Sequence, residues 1–151
     1  MNEAELLFSE LLGLNRMGLY QKRTLRLDKA RAQEAVSVLK RRISGEPLQY
    51  ILGKTEFMGL EFKVTPQVLI PRPETELLVE KTIELVTKSQ SQCVAKRSLP
   101  GGDKVTKILD LGTGSGCIAI SLAKFLPEAQ IDAVDISEEA LMIAKENAKL
   151  N

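Results

Sequence analysis

The sequence predicts an α/β fold in three parts. These are a small N-terminal helical domain over residues 1–45, a linker with a β-hairpin over 46–66, and the incomplete first part of a doubly wound parallel sheet over 67–151. Three observations carry this prediction. Apolar residues recur at helical spacing in the first third, short buried-strand patterns alternate with amphipathic helices in the last third, and the segment "ILDLGTGSGCIAI" joins one such strand to one such helix through three glycines.

Two amphipathic helices are predicted in the first 45 residues. The apolar stripe of the first helix consists of Leu7, Leu11 and Leu14. Asp28 is a suitable N-cap for the second helix, whose stripe consists of Ala32, Val36, Leu39 and Ile43. The basic run Lys40–Arg42 suits the solvated C-terminal end of that helix, where the helix dipole favours positive charge.

The middle of the chain contains the predicted junction and a third helix. Glycine and proline in "SGEPLQYILG" interrupt the helical period, and a short hairpin around Gly59 is indicated by Phe57, Leu60, Phe62 and Val64. The third helix opens at Pro73, a favoured first position, with glutamates in its first turn. The stretch from Ser89 to Lys104 lacks periodicity and is predicted to be an exposed connection.

The C-terminal third is predicted to be a βαβα unit. Its strands are Lys107–Leu111 and Ile131–Val134, and the intervening helix is marked by Ile118, Leu122 and Phe125. The last helix begins at Ser137, with an apolar stripe of Leu141, Ala144 and Ala148. Two strands alone make a small parallel sheet. Parallel sheets are normally part of a larger sheet that is buried on both faces. We therefore expect the N-terminal part of a longer protein, with a smaller complete domain as the alternative.

Composition excludes several classes of protein. Of 151 residues, 44% are hydrophobic and 27% charged, and the formal net charge is +1, so the overall charge does not indicate a nucleic-acid or membrane partner. The chain has no histidine, and its cysteines, Cys93 and Cys117, match no metal-ligand spacing, so no metal site is predicted. Because no apolar stretch approaches the roughly 20 residues that span a bilayer, we expect a cytoplasmic protein without a membrane partner.

The glycine loop carries the strongest functional signal. Gly112, Gly114 and Gly116 form G-x-G-x-G, whereas the dinucleotide fingerprint G-x-G-x-x-G requires its third glycine at Cys117. The carboxylate of Asp110 would repel a pyrophosphate but attract a cationic amino-acid group. S-adenosylmethionine carries such a group, so the loop favours this cofactor over a dinucleotide.

Asp135 completes the predicted cofactor site. It ends the second strand roughly 20 residues after Gly112, where related folds present a carboxylate to ribose hydroxyls. The backbone of Thr113 and Ser115 is expected to line the same site. Three alternatives remain open: the glycines serve only the turn, Asp110 is only structural, or Asp135 caps the following helix.

Longer motifs resemble a known family. "DLGTGSGCIAISLA" resembles the first motif of class I methyltransferases that use S-adenosylmethionine, whose domain is Rossmann-like. "GEPLQYILGKTEFMGLEF" and "VLIPRPETELLVE" resemble the HemK-like release factor glutamine methyltransferases, and the resemblance covers residues 45–151. It implies methyl transfer from S-adenosylmethionine to the glutamine of the Gly-Gly-Gln motif in peptide chain release factors. It also implies that the helices up to Ile43 dock the release factor, with a stabilising cap as the alternative.

One family motif is missing from these residues. In the family, an Asn-Pro-Pro-Tyr motif holds the acceptor amide, and this chain contains no such motif. We therefore predict no catalytic residue here and expect residues 1–151 to be inactive alone. The competing functions are a nucleic-acid adenine N6-methyltransferase, a nicotinamide-dependent oxidoreductase and a non-enzymatic binding module, although direct nucleic-acid binding is not expected at this net charge.

Overall fold

The computed structural model of the chain describes residues 3–21, 26–95 and 105–151. The chain divides into two compact units, Met1–Gly53 and Lys54–Asn151. The domain boundaries that the sequence suggests after residues 45 and 66 stay predictions. In the described part of the chain, no helix has the length and apolar character needed to cross a membrane.

The first unit is helical. It consists of α1 (Glu3–Leu12), α2 (Arg16–Gln21), α3 (Lys29–Ile43) and α4 (Leu48–Leu52). The prediction of two helices was therefore too low, because both α2 and α4 lie in segments without a long apolar period. Helix α1 ends before Leu14, since Gly13 adopts a left-handed φ of +61°. Helix α4 lies in the predicted break and ends at Gly53, whose φ is +73°.

Helix α3 begins where the sequence predicts but buries a different face. Asp28 caps it by accepting a hydrogen bond from the backbone N–H of Arg31 at 2.8 Å. The predicted stripe is wrong as a buried face, because Ala35 is the buried residue while Val36 is 51% exposed and Ile43 is 84% exposed. The helix thus presents an apolar patch, here called the α3 surface, which consists of Val36, Leu39 and Ile43.

The second unit opens with the predicted hairpin. Strands β1 (Lys54–Phe57) and β2 (Leu60–Lys63) pair antiparallel. The two turn residues, Met58 and Gly59, have φ values of +53° and +72°, as a two-residue hairpin turn of the primed kind requires. The buried rings of Phe57 and Phe62 meet edge to face with centroids 6.1 Å apart. The hairpin is therefore anchored in the core.

The third predicted helix is longer than the sequence suggests. Helix α5 (Pro73–Ala95) begins at the predicted proline and buries Val79. The predicted exposed connection is wrong over Ser89–Ala95, which continues the helix. Its polar serines and glutamines lack an apolar period but do not prevent helix formation. The rest of that predicted connection, residues 96–104, lies outside the described residues.

The last third forms the predicted βαβα unit. It consists of β3 (Lys107–Leu111), α6 (Cys117–Phe125), β4 (Gln130–Val134) and α7 (Glu138–Leu150). The strands are parallel, and Ile108 lies opposite Ile131. Ser137 caps α7, as predicted, by accepting from the N–H of Ala140 at 3.1 Å. The predicted stripe of α7 is wrong by one residue, because its buried positions are Ala140, Ile143 and Asn147 rather than Leu141, Ala144 and Ala148.

The two faces of the β3–β4 sheet are covered unequally. Ile108 and Ile131 pack against the core, which consists of Phe57, Phe62, Val79, Cys117, Leu122 and Leu126. Side chains on the opposite face, here called the bare face, include Leu109, Leu111 and Val134, and all three are exposed. The structure thus confirms a helical N-terminal part followed by a partial parallel α/β sheet.

Candidate functional site

The three loop glycines differ in what surrounds them. All have positive φ values, which are +75° at Gly112, +56° at Gly114 and +81° at Gly116. A Cβ atom at either of the first two would meet no atom within 4 Å, so both positions border open space. A Cβ atom at Gly116 would lie 2.8 Å from Cδ1 of Ile120 and 3.1 Å from Cβ of Ala144. Gly116 therefore permits close packing of α6 on α7, while Gly112 and Gly114 leave room for a ligand.

Most backbone N–H groups of the loop already donate within the protein. Those of Gly112 and Thr113 donate to the carbonyl oxygen of Val134 at 2.8 and 3.0 Å. The N–H of Gly114 donates to Oδ2 of Asp135 at 2.8 Å, and that of Gly116 donates to the Thr113 carbonyl oxygen at 2.9 Å. A phosphate-binding loop instead directs its N–H groups at the ligand. This arrangement fits a cofactor without phosphates better than a dinucleotide.

Asp135 lies beside the loop at the end of β4. Its Oδ1 accepts from the N–H of Ser137 at 3.0 Å, and its Oδ2 accepts from Gly114. The N–H groups of Ser137 and Gly114 hold the pKa of the Asp135 carboxyl below its usual value, because they stabilise its charged form. Each carboxylate oxygen has a second acceptor position. The side chain is thus ionised, held in place and still able to accept hydrogen bonds from hydroxyl groups.

Asp110 and Thr113 form a second polar pair in the site. The Thr113 hydroxyl donates to Oδ2 of Asp110 at 2.7 Å, and Thr113 itself is buried. This bond ties the end of β3 to the loop that follows. The Asp110 carboxylate remains half-buried and keeps further acceptor positions for a cationic group.

The structure brings all seven predicted site residues together. They belong to the end of β3, the glycine loop and the end of β4, and they are Asp110, Gly112, Thr113, Gly114, Ser115, Gly116 and Asp135. Parallel strands explain this, since their carboxyl ends meet at the same edge of the sheet. Next to the loop, burial raises the pKa of the Cys117 thiol, so this cysteine is not an activated nucleophile.

The sequence analysis missed Asn147, which organises the site, and did not predict the contact of Glu76 with the hairpin turn. Asn147 of α7 is fully buried and donates from Nδ2 to the carbonyl oxygen of Ser115 at 2.8 Å. Glu76 of α5 accepts the N–H of Met58 at 2.6 Å and so holds the hairpin turn. A polar residue on a buried helical face was the available signal for Asn147, but the misplaced stripe of α7 concealed it.

A cleft of about 290 Å³ lies between α6, α7 and β4. Its lining is mostly alanine and isoleucine, including Ala119, Ala133, Ala144 and Ile131. Two residues of the predicted cofactor site, Thr113 and Gly116, also line this cleft, so the cleft adjoins the glycine loop.

Comparison with known proteins matches two parts of this chain to protein families. The PrmC N-terminal domain family matches residues 1–53, and a methyltransferase domain family matches residues 102–151. Three relatives are named release factor glutamine methyltransferase. The Flavobacterium psychrophilum protein is 47% identical over 91% of this chain and 45% of its own length. The Coxiella burnetii protein is 43% identical over 97% and 48%, and the Koribacter versatilis protein is 47% identical over 96% and 47%.

The chain spans about half the length of the curated relatives it matches. The first domain match covers the helical unit, and the second covers the βαβα unit. The resemblance found in the motifs is confirmed. Over nearly its whole length, this chain is similar to proteins named release factor glutamine methyltransferase.

Proposed function

We propose that the protein is a protein-(glutamine-N5) methyltransferase that uses S-adenosylmethionine to modify the Gly-Gly-Gln glutamine of peptide chain release factors. The proposal is supported by one feature of the site: a loop with internally bonded N–H groups and an ionised aspartate adjoins open space at the strand ends. The relatives of this chain are named release factor glutamine methyltransferase. The residues present would supply part of the cofactor site, and the acceptor site would lie in the remaining length of the intact protein.

The loop residues fit S-adenosylmethionine group by group. Asp135 would accept the ribose hydroxyls, since its two oxygens are held by N–H donors at the end of β4. Gly112 and Gly114 would allow the cofactor to approach the backbone, because nothing in the protein lies where their Cβ atoms would be. Asp110 would attract the positively charged amino-acid end. When bound, the cofactor supplies a methyl group on a positively charged sulfur.

Catalysis would depend mainly on orientation. A side-chain amide nitrogen is a poor nucleophile, so holding it in line with the methyl group is the expected source of the rate enhancement. We propose no residue of this chain for that role, since the described groups near the loop serve the cofactor or the loop itself. Residues 1–151 alone are expected to transfer no methyl group.

The α3 surface is the proposed docking site for the release factor. Three apolar residues are exposed together on this helix, namely Val36, Leu39 and Ile43. Single exposed apolar side chains are common on protein surfaces, whereas a contiguous patch marks an interaction site. In the neighbouring basic run, Arg41 pairs with Glu46 and Arg42 pairs with Glu3, so two of its three charges are engaged within the protein. This pairing favours a protein partner over a nucleic acid.

The proposed activity is tested by transfer of a labelled methyl group. The intact protein, of the same length as its relatives, is incubated with release factor and tritiated S-adenosylmethionine. Label is expected on the Gly-Gly-Gln glutamine, and a release factor with that glutamine replaced by alanine is the control. No label in the release factor, or label in adenine when nucleic acid replaces the release factor, would overturn the proposal. Turnover by residues 1–151 at a similar rate would show that the catalytic residues are in this chain.

The docking proposal is tested by Ile43→Asp in the same assay. Because Ile43 is exposed, the substitution should preserve folding but raise the Michaelis constant for intact release factor about tenfold, as loss of an interface anchor does. The constant for a short Gly-Gly-Gln peptide should stay unchanged. Met17→Asp, at another exposed position of the helical unit, is the matched control. Equal losses with both substrates would favour a stabilising role for this unit.

A further inference from the structure

Asn147 joins three segments that are distant in sequence. From α7, its Nδ2 donates to the carbonyl oxygens of Ser115 at 2.8 Å and of Lys63 at 3.0 Å. Its Oδ1 accepts from the N–H of Lys63 at 2.7 Å. The side chain is 0% exposed, so each of these bonds replaces one that water would otherwise make. One buried amide thus connects the glycine loop to the last residue of the hairpin.

The partners determine which way the amide faces. A backbone N–H can only donate, so Oδ1 must face Lys63, and Nδ2 is left to face the two carbonyl oxygens. Both hydrogens of Nδ2 are then used. Aspartate has nearly the same shape but would place an acceptor against two acceptors. Asparagine is therefore required here by chemistry and not only by volume.

The bond to Ser115 acts on a single peptide plane. The carbonyl of Ser115 and the N–H of Gly116 belong to the same rigid, planar peptide group. Asn147 holds the carbonyl side of this plane, and the Thr113 carbonyl oxygen accepts the N–H side at 2.9 Å. Rotation of the plane would break both bonds. The orientation of the second half of the loop therefore depends on Asn147.

We propose that Asn147 is a positioning residue that holds the glycine loop in its cofactor-binding conformation and couples it to the β1–β2 hairpin. The proposal rests on the proposed function for the identity of the cofactor. Other bonds from α7 and its C-cap to the hairpin do not reach the loop, since Asn151 donates to the Glu61 carbonyl oxygen and Glu146 pairs with the Lys63 ammonium group. Among the described residues, only the Asn147 side chain hydrogen-bonds to both the hairpin and the loop.

Coupling of this kind is reciprocal. If the hairpin contact stabilises the loop for the cofactor, then bound cofactor must stabilise the hairpin contact by the same free energy. The N–H of Lys63 reports that contact because it donates to Asn147. The N–H of Met58 is a matched reference, since it lies on the same hairpin and donates to Glu76, which makes no recorded bond to the loop.

Hydrogen exchange in the unmodified intact protein tests the coupling directly. Amide exchange is followed by NMR with and without saturating S-adenosylhomocysteine, the demethylated cofactor. The Lys63 amide is expected to slow by about tenfold more than the Met58 amide, the factor that corresponds to a typical coupling free energy. Equal slowing of both amides would indicate general stabilisation and would overturn the proposal.

Variants separate positioning from stability. Asn147→Asp should weaken S-adenosylhomocysteine binding at least about tenfold, because it reverses the polarity presented to Ser115, and should speed amide exchange over residues 112–118. Asn151→Ala, at the C-cap of α7, removes the bonds of Asn151 Nδ2 to the Glu61 and Asn147 carbonyl oxygens but leaves the Asn147 side chain and its loop bond, and should change affinity less than about twofold. Equal affinity losses, or an unchanged loop in Asn147→Asp, would overturn the proposal. Should neither protein bind S-adenosylhomocysteine, the proposed function fails, while loop exchange still decides the role of Asn147.

Discussion

The two faces of the β3–β4 sheet, the covered face and the bare face, differ in how much of each is buried by other residues of this chain. On the covered face, Ile108 and Ile131 pack against the core, and the loop above them has most of its N–H groups bonded. On the bare face, Leu109 is 56% exposed and Leu111 is 73% exposed. The face that supports the loop is therefore covered by elements of this chain, whereas the opposite face lacks a covering layer among the described residues.

This difference separates cofactor binding from stability. The loop, α6, α7 and the hairpin are all present on the covered side, so the geometry that we assign to the cofactor does not depend on the bare face. Parallel sheets are normally buried on both faces, and an exposed apolar face or edge promotes association. The contacts missing from the bare face are expected to affect solubility and stability before they affect the loop.

The sharpest test substitutes adjacent residues of β3 that point to opposite faces. Ile108→Lys should lower the free energy of unfolding of residues 1–151 by about 2–4 kcal/mol, because it places an unpaired charge against the core. Leu109→Lys should lower it by less than about 0.5 kcal/mol and reduce self-association. Urea denaturation and sedimentation velocity measure the two effects. Equal destabilisation would show that the bare face is already covered, for example by a second copy of the chain.

The second test compares two loop glycines. Gly116→Ala should cost about 2–4 kcal/mol, since it combines a left-handed φ with overpacking against Ala144. Gly114→Ala has the strained φ but open space around it, and should cost only about 1–2 kcal/mol. Its larger effect is expected on binding of S-adenosylhomocysteine, which the new methyl group would obstruct. Equal costs in thermal unfolding would contradict the division of the glycines into packing and ligand positions.

The smallest expected effect concerns Asp135. Asp135→Ala should weaken binding of S-adenosylhomocysteine about ten- to hundredfold in calorimetric titration, as loss of hydrogen bonds to a charged acceptor does. Asp132→Ala is the control, because that carboxylate is exposed on the same strand and accepts only from the Gln130 side chain among recorded bonds. An unchanged affinity in Asp135→Ala would leave this residue with a structural role in bonding Gly114 and Ser137.

The predicted elements with short-range signals agree with the structure. Asp28 and Ser137 cap their helices, Pro73 begins α5, and the hairpin turns at Gly59. Each of these features depends on hydrogen bonds or dihedral angles within about four residues, which is why a sequence pattern reveals them. The errors occur where such signals are weak, as in the polar C-terminal part of α5 and the short helices α2 and α4.

The sequence by itself determined the strand, glycine loop and helix at 107–125 and the acidic end of the second strand, because strand ends and glycine turns are local features. Only the tertiary structure decided which glycine packs and which faces open space, since that depends on where Ala144 of α7 lies. It also decided that α3 leaves its apolar stripe exposed and that Asn147 reaches Ser115 and Lys63, 32 and 84 residues away. Contacts over such separations follow from how the elements pack, and no short sequence pattern specifies them.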